Sequence, residues 1–302
     1  MRKLIPVEDD ALDFINRVIN FTNRRKGEAN LPEEQTYKGR CKKILGDNEK
    51  YVEQYDALFW SNTLEKLEGS HPILSDQARN EFQKLYGYDK KVISDLRHRI
   101  CMEDGYKNEK CPLCGVNLSN TMDHFIPQTP YPLFVVHPRN LIPSCITCNG
   151  HKSDSITDGG KRRFWNSYLD DPPTEQYLYC DVTEENDMPK VSFRLEQGSI
   201  DDETFRLIKN TMLPSGQDVF ESYKKASEAC LVELRNAVAK YMNTHSGSTF
   251  TENIRNFREV LASTYILNEC KGTVKMALID STIFHKCVKD YMKNELKIKI
   301  NE

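Results

Sequence analysis

The sequence predicts an α+β chain, mostly α-helical, in which a compact loop-rich insertion and a short β-hairpin separate two helical regions. Three observations carry this expectation. Helical periodicity runs through residues 8–104 and returns from 199 onward. Pro, Gly, Asn and Ser crowd residues 105 to 160. Two alternating runs, Tyr177 to Val182 and Lys190 to Leu195, flank a polar turn. The expected divisions are an N-terminal helical region (1–104), a central module (105–170), a hairpin (171–198) and a C-terminal helical region (199–302).

In the first region, "ALDFINRVINFTNRRKG" places Leu12, Ile15, Val18, Ile19 and Phe21 near a 3.6-residue period and ends on Gly27. "YVEQYDALFWSNTLEKLEG" and "SDQARNEFQKLYGYDKKVISDLRHRICME" read the same way, with Ser75 as the cap of the second. Aromatic stripes on these segments predict core packing. In the last region Ser199 is the expected cap of "DDETFRLIKNTML". Thr249 and Glu252 form a capping-box pattern ahead of Ile254, Phe257, Val260 and Leu261.

A length of 302 residues with 38% hydrophobic content suffices for a sizeable core. The 42 Lys+Arg against 45 Asp+Glu give a formal net charge of −3, so any surface for a polyanion must be local. The start "MRKLIPVEDDALDF" reaches acidic residues before an apolar signal could form, and no run of about 18 apolar residues occurs. A cytoplasmic location is therefore expected.

Ten cysteines divide into two kinds. Cys41, Cys101, Cys180, Cys230, Cys270 and Cys287 are scattered through patterned segments and read as reduced core thiols. Cys111, Cys114, Cys145 and Cys148 form the spacing C-x2-C-x30-C-x2-C, two thiolate clips that together complete the tetrahedral shell zinc favours. Gly115 after the second cysteine suits the tight turn of such a clip. Four thiolates leave no open position, so this zinc is expected to hold the insertion together without performing catalysis.

Between the clips, Asp123-His124 follows "VNLSNTM", a short strand by pattern, and precedes the proline-rich "FIPQTPYP". Asn140 begins a second strand, "NLIPSC", and Cys148-Asn149 opens a helix with Lys152 about one turn on. The run D-H-F-I-P-Q, then N-L-I-P-S-C, then C-N-x-x-K resembles the HNH endonuclease motif over Cys111 to Asp154. It is similar to HNH proteins whose ββα-metal module is braced by a four-cysteine zinc. The resemblance implies DNA hydrolysis with one divalent cation. It makes His124 the general base, Asp123 and Asn149 the cation ligands, Asn140 the residue that pins the loop orienting His124, and Lys152 a phosphate neighbour. Asn149 stands where the founding pattern has His. A carboxylate and an amide oxygen suit Mg²⁺ or Mn²⁺.

The chemistry is consistent with that implication. Phosphodiester hydrolysis needs a water deprotonated near neutral pH, the task for which histidine's ordinary pKa is suited. A hard cation stabilises the charge that develops on phosphate and leaving oxygen. Local basic clusters are candidate DNA contacts: Lys161, Arg162 and Arg163 after the site helix, and Lys286, Lys289, Lys293 and Lys297 at helical spacings near the C-terminus. His137 is a further candidate contact, and His151 is assigned to solvent. The helical arms around the module are similar in architecture to HNH effectors of bacterial anti-phage systems that work beside an ATPase partner. A free-standing restriction or mobile-element nuclease, and a catalytically inactive zinc-stapled DNA-binding or scaffold protein, stand as alternatives.

Overall fold

A computed structural model describes residues 1–150, 152, 154–213 and 219–301; His151 lies outside them. The chain opens with helices α1 (Ala11–Asn20), α2 (Tyr37–Gly46), α3 (Glu49–Trp60), α4 (Asp76–Gln83) and α5 (Lys91–Ile100). The Asp10 carboxylate caps α1 by accepting from Asp13 N at 2.8 Å, and the helix buries Phe14, Ile15, Val18 and Ile19. It ends at Asn20 and does not reach Gly27. Beyond it the Arg24 guanidinium gathers the Glu28, Ala29 and Leu31 carbonyls into a loop. The long run from Ser75 likewise breaks. Ser75 caps α4 as expected, but Lys90 Nζ donates to the Lys84 and Leu85 carbonyls at 2.7 and 2.6 Å, satisfying the helix end before α5 starts.

The central segment contributes the ribbon β1 (Met102–Glu103) and β2 (Tyr106–Lys107), then strands β3 (Thr121–His124) and β4 (Leu141–Ser144) and the single-turn helix α6 (Ile146–Gly150). β3 and β4 pair antiparallel, with Asp123 opposite Ile142 and His124 opposite Leu141. A tight hairpin follows, β5 (Thr157–Asp158) and β6 (Lys161–Arg162), turning on Gly159 and Gly160 at φ +57° and +77°. Two consecutive positive φ values are those of a type I′ turn, which glycine adopts without strain.

The longer hairpin β7 (Leu178–Glu185) and β8 (Met188–Leu195) turns on Asn186 and Asp187, and lies against the last helices. These are α7 (Asp202–Met212), α8 (Phe220–Thr244), α9 (Phe250–Ser263), α10 (Cys270–Ile279) and α11 (Thr282–Asn294). The cap of α7 is Asp201, whose carboxylate accepts from Thr204 N at 2.9 Å, and not Ser199. The Thr249–Glu252 capping box of α9 is present. Among the described residues no helix is long and apolar enough to cross a membrane.

The chain has two apolar cores among the described residues. One joins Phe14, Tyr55, Phe82 and Leu96 to Met122, Ile126, Phe134 and Leu141; the other joins the four clip cysteines and Trp165 to Leu178, Tyr223, Val274 and Phe284. Each fully buried Leu, Ile or Phe contributes about 1.5–3 kcal/mol, and Met122 of β3 with Leu141 and Ile142 of β4 anchors the strands in the first core. All ten cysteines are free thiols, and those outside the clips are buried except the half-buried Cys180.

An ionic clamp fixes the loop ahead of β4. Arg139 donates through Nε and Nη2 to the Asp56 carboxylate at 2.8 and 2.6 Å, and through Nη1 to the Val7 and Asp9 carbonyls. His137 Nε2 stands 3.1 Å from Asp56 Oδ1. His137 is wholly buried, so it belongs to this clamp and not to a DNA-facing surface. Burial lowers its pKa. Burial alone would raise the Asp56 carboxyl, but His137 and Arg139 outweigh it and hold the group below its usual range. Both folded values are depressed, so the unfolded chain takes up protons first as the pH falls, and the clamp's stabilisation fades below about pH 6.5. Thermal melting should drop between about pH 7 and pH 5, and the drop should be shallower in His137→Phe; equal slopes would remove His137 from the account.

Candidate active site and metal centre

The four clip thiols converge as their spacing demands. The sulfurs of Cys111, Cys114, Cys145 and Cys148 lie within 4.8 Å of one another, with Cys114 and Cys145 at 3.9 Å. Zinc–sulfur bonds of about 2.3 Å in a tetrahedron require sulfurs about 3.8 Å apart, so the donor set fits that ion. Each clip is built locally. Gly115, at φ +70°, closes the first turn by donating from its amide to the Cys111 carbonyl at 2.8 Å. Cys148 N at 3.4 Å and Asn117 Nδ2 at 3.6 Å both point at Cys145 Sγ, the amide donors that stabilise a metal-bound thiolate.

Asp123, His124, Asn149 and Lys152 line one cavity of about 240 Å³. Strand β3 supplies the first two and α6 the third; Thr121 ties the elements together by accepting from Asn149 Nδ2 at 3.2 Å. That bond uses the Asn149 amide nitrogen and not its oxygen. His124 is buried, and its Nε2 bonds the Val135 carbonyl at 2.9 Å. A carbonyl only accepts, so Nε2 carries the hydrogen and Nδ1 the lone pair. Burial pushes the imidazole down to about 4, opposed in part by the Asp123 carboxylate, and the ring is neutral at physiological pH.

Asn140 is completely buried. Its Oδ1 accepts from Ile126 N at 2.6 Å and Tyr55 Oη at 3.1 Å, and its Nδ2 donates to the Ile126 and Phe134 carbonyls at 3.1 and 3.0 Å. These four bonds hold both ends of the loop that follows His124. Asn140→Ala would orphan several buried backbone groups, each costing about 1–3 kcal/mol, and is expected to destabilise the chain by about 3 kcal/mol or more in denaturant unfolding. A loss under about 1 kcal/mol would show that the loop is held elsewhere.

Two expected phosphate contacts are placed differently. The helix stops at Gly150, so Lys152 leaves helical register and turns inward. Its ammonium sits 3.0 Å from both Asp123 Oδ2 and the His124 carbonyl, over the Phe125 ring. Burial lowers its pKa, opposed by Asp123. Arg162 is also buried, ion-paired to Asp170 and donating to Asn62. The cause is strand alternation: β6 sends Arg162 to the opposite face from its neighbours. Lys161 is exposed, 3.6 Å from Glu203, and Arg163 lies over the Phe164 ring. Of the C-terminal lysines, Lys286 is held by Glu184 and Asp187 of the long hairpin, Lys289 lies over Phe250, and Lys297 falls beyond the end of α11.

Periodicity alone did not single out Tyr86. From the α4–α5 connection its ring packs edge-on against His124, centroids 4.5 Å apart, and it lines the cavity with Gln128. Its only sequence signal was an aromatic in a segment read as continuous helix.

No family model matches the chain, and no solved structure does. Over 142 residues it is 38% identical to Protein ea31 of Escherichia phage lambda, a match covering 42% of this chain and 47% of that protein. Over 80 residues it is 36% identical to Septu protein PtuB of Bacillus thuringiensis, covering 24% of this chain and 30% of that protein. The chain thus spans less than half the length of either relative, and is similar to each in part.

Proposed function

We propose that the chain is a metal-dependent HNH endonuclease hydrolysing DNA phosphodiester bonds. The observation that carries this reading is the convergence of Asp123, His124 and Asn149 on a single cavity, beside a four-thiol cluster that fits zinc. His124, neutral and presenting Nδ1, takes a proton from the attacking water, a role that contributes about 10²–10⁴-fold. The Asp123 carboxylate and the Asn149 amide oxygen provide hard oxygen ligands for Mg²⁺ or Mn²⁺. That cation, when bound, supplies Lewis-acid stabilisation of the charge that develops on the phosphate. Lys152 engages Asp123 Oδ2, which leaves Oδ1 directed to other partners and limits the carboxylate's motion. Tyr86 and the Val135 carbonyl fix the plane of the imidazole. Asn140 holds the loop behind it.

In biological role we place the chain with the nuclease effectors of bacterial anti-phage defence that its architecture resembles, working beside an ATPase partner. The partial match to a Septu protein supports that placement. The test is cleavage of supercoiled, linear and single-stranded DNA with Mg²⁺ or Mn²⁺, with and without EDTA. Cation-dependent nicking or cutting is expected; DNA left intact by the chain, both alone and with its co-purified partner, would favour the scaffold alternative.

A further inference from the structure

The two basic clusters legible in the sequence are partly consumed inside the molecule, by Asp170 for Arg162 and by Glu184 and Asp187 for Lys286. A third basic surface was not visible as a run. Between the end of α1 and the α4–α5 connection opens a cleft of about 480 Å³, where Phe21, Arg25, Tyr37, Lys84, Lys90 and Lys91 meet. None of the residues lining it is acidic, in a chain whose net charge is −3. Nearby carboxylates are engaged elsewhere or only weakly here. Glu28 accepts from the Arg25 and Tyr37 backbone amides and pairs with Arg40, and Asp95 pairs with Lys91 at 2.8 Å on the exposed face of α5. An exposed i,i+4 pair contributes about 0.3–0.5 kcal/mol and leaves Lys91 available to a stronger anion. Lys84 is exposed and has no ion-pair partner among the described residues. The Arg25 guanidinium is stacked 3.4 Å over the Tyr37 ring, which holds it in place at low entropic cost.

The cleft adjoins the catalytic cavity through one short segment. Gln83 Nε2 donates to the carbonyl of Gln128, a cavity residue, at 3.1 Å, and Tyr86 packs on His124. Lys84 lies between them in the chain. Two residues reach at most about 7 Å, a length over which one DNA strand carries about two phosphates. A strand entering the cavity therefore passes the cleft within a few nucleotides.

We propose that this cleft binds the phosphodiester backbone of DNA flanking the scissile bond, with Lys84, Lys91 and Arg25 as its phosphate contacts. The proposal rests on the nuclease reading for its orientation, but its test is one of binding. A fluorescein-labelled DNA duplex is titrated with the His124→Ala chain, without added divalent cation, from about 50 to 200 mM salt. Removing two contacts in Lys84→Ser/Lys91→Ser should weaken binding about tenfold or more and flatten the log K against log salt slope by about 2. Lys286→Ser/Lys293→Ser on α11 makes the same change in net charge and should stay within about twofold. Thermal melting confirms that both double variants are folded, since all four lysines are exposed or half-buried. Equal losses in the two variants, or no binding by the His124→Ala chain itself, would overturn the proposal. A chain that binds through the cleft yet never cuts contradicts the nuclease reading alone. One that cuts equally well without Lys84 and Lys91 contradicts the cleft alone.

Discussion

His124→Ala is expected to reduce DNA cleavage by about 10²–10⁴-fold, the contribution of a positioned general base. The substitution removes the Nδ1 lone pair, whose tautomer is fixed by the Nε2 bond to the Val135 carbonyl. It also leaves the Val135 carbonyl without that donor and opens space beside Tyr86, so a stability loss of about 1–3 kcal/mol is expected alongside. That loss is far too small to unfold a chain with two cores, and zinc content should be unchanged because the four thiols lie on separate residues of the module. The measurement is initial cleavage rate against wild type, with circular dichroism and metal analysis on the same preparations. Full activity in the folded variant would remove the assignment of the base. Since burial places the wild-type imidazole at about 4, the acid limb of the wild-type rate should fall below the value of about 6.5 for a free imidazole.

Cys145→Ala is expected to have the largest effect on folding. Cys145 directly follows β4 and leads into α6, and its sulfur receives both the Cys148 amide and the Asn117 side chain. A structural zinc site contributes on the order of 10 kcal/mol to local folding. Losing one ligand should release about one zinc per chain, loosen α6 and displace Asn149 from Thr121, abolishing cleavage through loss of the site's shape. Zinc content measured by atomic emission, with proteolysis of residues 105–170 as the structural readout, checks this. Zinc retained at the wild-type ratio would contradict the four-thiolate assignment.

What could be read in the sequence was what is local. Each Cys-x-x-Cys clip, a short strand near Asp123 and another near Asn140, the long hairpin and the α9 capping box depend on residues within a few positions of one another; the strand bounds differ, since β3 contains Asp123 and His124 and β4 starts at Leu141, after the turn that ends on Asn140. Several side chains instead follow contacts that sequence distance hides. The motif resemblance implies a phosphate beside Lys152, and helical spacing puts it one turn on from Asn149, but α6 is a single turn and the side chain returns to Asp123, 29 positions away. Arg162 looked like one member of a basic run; the Gly159–Gly160 turn makes its segment a strand, and alternation sends it to Asp170. His137 looked like a loop histidine, and its partner Asp56 lies on α3. The partnership of Tyr55 with Asn140 spans 85 positions, and that of Tyr86 with His124 joins an arm read as packing to the centre of the site. Tertiary packing decided all of these, which no periodicity records.

The proposed function requires Asp123 and Asn149 to hold a divalent cation beside His124. Mn²⁺ binding to the zinc-loaded chain, followed by electron paramagnetic resonance, tests it most directly. About one Mn²⁺ per chain is expected, lost in Asp123→Ala and weakened in Asn149→Ala, with zinc retained in both. Mn²⁺ bound equally by wild type and Asp123→Ala, or by neither, would contradict it.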